Sequence, residues 1–119
     1  MIIESPKDGS PVSRRLVVRG RRDADADSSA PLWLLVRAEL EGSRWFAIDR
    51  PLKVNPDGTW QAGIELGGQA GVRHEIRVGA VSPEDDARLR RHAAERPGQP
   101  LDDLPESFQL GARVVVQRQ

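Results

Sequence analysis

Cysteine is absent from the 119-residue sequence, which removes disulfides, thiolate metal sites and a cysteine nucleophile, and leaves the redox compartment unread. Net charge is lacking too. Eighteen Lys and Arg balance 18 Asp and Glu, at a pI near 6.7, so bulk charge gives no warrant for binding nucleic acid or an anionic membrane. No apolar run approaches the roughly 18 residues of a membrane span, and Met1-Ile2-Ile3-Glu4-Ser5-Pro6 is not the basic-then-apolar start of a signal peptide. A soluble chain is expected, with its compartment unknown. No repeat of about 20 to 50 residues is visible. At this length and 38% hydrophobic residues, residues 1–119 can bury one core as a single domain.

The catalytic constellations are missing as well. No G-x-S-x-G elbow is present, and Gly67-Gly68-Gln69-Ala70-Gly71 lacks the Lys and Ser or Thr of a phosphate loop. Asp85-Asp86 and Asp102-Asp103 invite an acid/base reading, but the first pair is explained by a helix dipole and the second sits in an acidic loop. His74 and His92 stand in no ligand motif, so exposed or capping roles are expected of them. No cofactor is implied. The reading is of a protein that is not an enzyme.

What is present is alternation. In the stretch 32–40, Leu32, Leu34, Val36, Ala38 and Leu40 fall on one face of a strand, with Arg37 and Glu39 on the other. Leu16, Val18 and Gly20 share a face in 14–21, opposite Arg15, Val17, Arg19 and Arg21. Trp60, Ala62, Ile64 and Leu66 do so in 59–66, and Ile76, Val78 and Ala80 in 74–81. Shorter strands are expected at Ile2-Ile3, at 45–48 and 52–54, and a last one over 112–118 with Val114 and Val116 inward and Val115 outward. The links are short turns, Asn55-Pro56-Asp57-Gly58 the strongest, so the strands are expected to be antiparallel. Ser82-Pro83-Glu84-Asp85 opens a helix that ends before Arg96-Pro97-Gly98. With only Leu89 and Ala93 as an apolar stripe, that helix is expected to rest lightly on the sheets. About seven short strands and one helix before the last predict a mainly β, antiparallel two-sheet sandwich, with a small barrel as the alternative.

The chain resembles bacterial Ig-like (fibronectin-type-III-like) β-sandwich domains. The likeness rests on I-x-S-P-x-x-G at residues 3–9, V-x-G at 18–20 and D-G-T-W at 57–60, and covers residues 1–81 and 110–119. The helical and irregular insert 82–108 departs from a plain repeat of that class. The resemblance implies attachment, spacing or partner docking within a larger bacterial protein or assembly, and carries no catalytic residues across. The expectation is a non-catalytic protein-interaction or spacer module. The alternative is a ligand-binding domain that takes a carbohydrate or an anion through its loops or an Arg-bearing sheet face.

Three features are candidate sites. Trp33 and Leu35 lie opposite the core face of their strand, where exposure is costly; either the helix and the 101–108 segment cover them, or a partner protein does. Arg19 and Arg21 share the outer face of their strand, but aromatic interleaving for nucleic acid is missing, and Arg37, Glu39, Glu65, Glu75 and Arg77 can pair across strands. Asp23, Asp25 and Asp27 offer hard oxygens to calcium. They fail as an EF-hand loop, because Ser28 stands where the turn needs Gly and Leu34 where it needs the closing Glu. A solvated acidic loop is the plainer reading.

Overall fold

The computed structural model describes residues 1–23 and 29–119. Along them run β1 (Ile2–Ser5), β2 (Pro11–Val12), β3 (Arg15–Arg21), β4 (Leu32–Ala38), β5 (Phe46–Ala47), β6 (Thr59–Glu65), β7 (Arg73–Ala80), α1 (Pro83–Glu95) and β8 (Gln109–Arg118). The protein is mainly β, in two sheets of order β1-β3-β6 and β2-β8-β7-β4-β5. Every pairing between strands is antiparallel except β2 with β8. That parallel pair escapes the short-turn rule because its members lie at opposite ends of the chain.

The alternating faces meet between the sheets. Val18, Trp60 and Leu66 come from the three-stranded side, and Leu32, Leu34, Ile76, Val78, Val114 and Val116 from the five-stranded side. Gly20 lies directly opposite Trp60 in the β3–β6 register, and a Cβ there would fall inside the indole. Glycine is what lets the ring lie down on its own sheet.

A second apolar cluster lies on the other face of the five-stranded sheet, where Trp33 and Leu35 pack with Val81, Leu89 and Leu101, flanked by Trp45, Leu104 and Phe108. This sheet is therefore buried on both faces near β4, and it curls into a half-barrel with a register shift between Val78 and Gly79. Each buried Leu or Val side chain stabilises by about 1.5–3 kcal/mol, so the helical layer is a core in its own right.

Helix α1 starts as the sequence predicts, with the Ser82 hydroxyl accepting from the Asp85 N–H at 3.1 Å. It does not rest lightly. The Trp33 Nε1–H donates to Asp86 Oδ1 at 2.9 Å, and the buried Asp85 carboxylate accepts from the Ser107 N–H at 3.0 Å and from the Ser107 hydroxyl. Ser107 Oγ in turn accepts from the Ser82 N–H at 2.8 Å. Polar bonds supply what the thin apolar stripe of the helix lacks.

Two other expectations are corrected. Leu40 lies beyond the end of β4 and is 59% exposed, because the chain already turns there and its carbonyl accepts from the Ser43 N–H at 3.1 Å. Residues 52–54 form no strand; Leu52 is buried and anchored by its N–H to the Leu32 carbonyl at 2.8 Å. Val115 does face outward, opposite Glu75, yet is buried there, and the 7–10 turn is bonded along the edge of its strand: Asp8 Oδ1 accepts from the Val115 N–H at 2.8 Å and the Gly9 N–H donates to its carbonyl at 2.7 Å.

Candidate functional site

The predicted site residues are not brought together. Trp33 and Leu35 have no exposed surface, and of the two covers open to them the chain's own helical layer is the one in place. Arg19 and Arg21 stand exposed on the far side of the molecule, on the outer face of the three-stranded sheet. Arg21 pairs with Glu4 at 3.2 Å, while Arg19 lies beside Gln61 in register and has no ion pair among the described residues. Asp23 pairs with the Met1 ammonium at 2.5 Å, and Asp25 and Asp27 lie outside the described residues. Among the described residues no group of three His, Cys, Asp or Glu is placed to hold a metal ion.

The outer-face charges of the five-stranded sheet do pair as expected, around one carboxylate. Glu75 is 3% exposed, with Arg37 at 3.3 Å, Arg77 at 3.0 Å and Arg113 bonded from β8. Burial pushes the Glu75 carboxyl up, but the bonds from Arg113 and Arg77 outweigh it and hold the group below its ordinary value. The Arg37 and Arg77 guanidiniums stack on Trp45, at 4.7 and 4.8 Å from the ring centre. Asp8 and Glu39 lie close enough to Arg113 to act on it. The network balances its own charge and offers little to an outside anion.

His74 corrects the expectation of an exposed histidine. It shares the inward parity of Ile76 and Val78 and is buried, with Nδ1 unpartnered among the described residues. Burial pushes its pKa down against the opposing Val72 and Gly67 carbonyls, and nearby Arg118 adds to the fall. His92 caps instead, its Nε2 lying 3.0 Å from the Gln99 carbonyl.

A large concavity lies elsewhere, where the edges of the two sheets come side by side. A groove of about 690 Å³ runs between β6 and the β4–β5 side, floored by Val36, Ala38, Ile64, Val72 and His74. Phe46 and Leu40 form its lip and are 45% and 59% exposed. Along β6, Gly63, Ile64 and Glu65 line the groove, and Glu65 is engaged by Arg14 at 2.6 Å. Strand β5 is too short to close the gap: only Phe46 and Ala47 pair with β4 before Asp49-Arg50-Pro51 leads the chain away. Sequence reasoning counted Leu40 into the core and gave Phe46 no partner. The available signal was an aromatic on a short strand facing another strand with Gly63 at its middle. No protein-family model and no curated protein matches the sequence.

Proposed function

We propose that the chain is a non-catalytic protein-interaction module, an Ig-like β-sandwich within a larger bacterial assembly, and that the groove between β5 and β6 is its contact surface. The observation that carries this is the groove itself: mainly apolar, with Asp49, Glu65 and His74 as its titratable lining, and with two large side chains held out in water where a partner would cover them. The Ig-like part is supported by strand order. With β1, β3, β4, β6, β7 and β8 taken as strands A, B, C, E, F and G, the sheets read A-B-E and G-F-C, the partition of that fold. The insert 82–108 is spent on covering Trp33 and Leu35, which leaves the groove as the surface for others. The anion-binding alternative has less behind it, because Arg21 is taken by Glu4 and Arg37, Arg77 and Arg113 by Glu75, which leaves Arg19 without an ion pair among the described residues.

Selection of displayed random peptides against the intact chain tests the reading. Enriched peptides are expected to lose binding by about tenfold or more on Phe46→Asp, which places a charge on the apolar lip. Binders indifferent to Phe46→Asp, or no enrichment at all, would overturn it.

A further inference from the structure

Resting on that reading of the groove, we propose that its occupant is an extended peptide from another protein, added as a strand to the free edge of β6 with alternate apolar side chains dropped into the groove. Strand β6 pairs with β3 alone. At the two ends of that pairing the Arg22 N–H donates to the Gly58 carbonyl at 2.8 Å and the Leu66 N–H to the Arg14 carbonyl at 2.7 Å, so the even-numbered residues turn their backbone groups toward β3. Successive residues of a strand present these groups to opposite edges. Thr59, Gln61, Gly63 and Glu65 therefore point theirs away from β3. The Thr59 carbonyl is taken by the Asn55 N–H at 2.8 Å, whereas Gln61, Gly63 and Glu65 form no backbone hydrogen bond with any described residue. Three donors and three acceptors stand in a row along the free edge, those of Gly63 and Glu65 at one wall of the groove.

The other edges of the sheets are guarded and this one is not. Strand β1 runs into Pro6, β2 begins at Pro11, and beside β5 the Trp45 carbonyl accepts from the Leu101 N–H at 2.8 Å. Within Thr59–Glu65 there is no Pro or Lys, and Gly63 leaves open space at the middle. The chemistry of the occupant follows from the pairing of edge and groove. A small apolar ligand would fill the groove and leave the edge unanswered. A second copy would bring its own β6, whose Trp60, Ala62 and Ile64 are already committed to its own core, and would leave the groove empty. A peptide strand answers both at once, main chain to the edge and every second side chain to Ile64, Val36 and Phe46.

The test uses peptides of about ten residues selected on the intact chain and then resynthesised with N-methyl groups at single positions. Methylation at positions of one parity is expected to weaken binding about tenfold or more, by removing an edge bond and adding a clash, and at the other parity by less than about threefold. On the protein side, Gly63→Pro deletes the edge donor and is expected to give the same loss. Gly63→Ala, whose Cβ would meet nothing within 4 Å, is expected to bind as the wild type does. Should Gly63→Pro fail to fold, the peptide series decides alone. Equal effects at both parities, with binding still abolished by Phe46→Asp, would sink strand addition and leave the groove as the contact surface. Indifference to Phe46→Asp would sink both. A dimer of the free chain that Gly63→Pro dissolves would make the second copy the occupant and overturn the proposal.

Discussion

Among single residues, His74 carries the clearest consequence for stability. Its imidazole is buried with one nitrogen unpartnered, and burial is the main reason its pKa falls below 6.5. The unfolded chain then takes up this proton more readily than the folded one. The stability that neutral His74 contributes is complete above pH 6.5 and is lost as pH falls from there toward the depressed folded value. Denaturant midpoints should decline between about pH 7 and 5 in the wild type, and a His74→Leu variant should show a flatter profile over that window. Identical slopes would mean that His74 is not the group responsible. In the sequence His74 sits among Arg73, Glu75 and Arg77 and reads as one more surface polar residue. Only its parity with Ile76 and Val78 marks it as inward-facing.

Among the elements, α1 is held by Ser107 as well as by its own apolar stripe. The Asp85 carboxyl is held below its ordinary value of 3.8 chiefly by the Ser107 hydroxyl and then by the Ser107 N–H. A depressed carboxylate stabilises the fold above its unfolded pKa, and that contribution is lost as pH falls below 3.8. Ser107→Ala removes the hydroxyl donor and leaves the buried carboxylate short of a partner. The expected cost is about 1–3 kcal/mol, read from chemical denaturation near neutral pH, with the acid transition moved to higher pH. A variant as stable as the wild type would show that the bond is idle. The cap at Ser82 was legible because capping is local; Ser107 lies 22 residues from Asp85, in a segment with no period to read.

For the whole molecule, what was legible was whatever a single stretch decides by itself. The faces of β3, β6 and β7 follow from alternation, and β4 declared both its faces, Leu32 and Leu34 against Trp33 and Leu35, before any fold was known. What was not legible depends on segments far apart: β2 lying parallel to β8, Arg113 completing the ring around Glu75, Leu40 losing its place once the chain turns early. The groove is of this second kind, since it belongs to two edges that no stretch of sequence contains together. The same division distributes the three tryptophans one to a setting: Trp60 between the sheets, Trp33 under the helix, Trp45 stacked with arginines. Variants that keep one indole each, with Phe at the other two positions, would give every layer its own optical voice. On acidification the emission of Trp60 should change at a higher pH than that of Trp33, because His74 on the inner face loses its contribution below pH 6.5, whereas the carboxylate that holds the helical layer loses its own only below 3.8. Superimposed curves would instead mean that the molecule melts as one body.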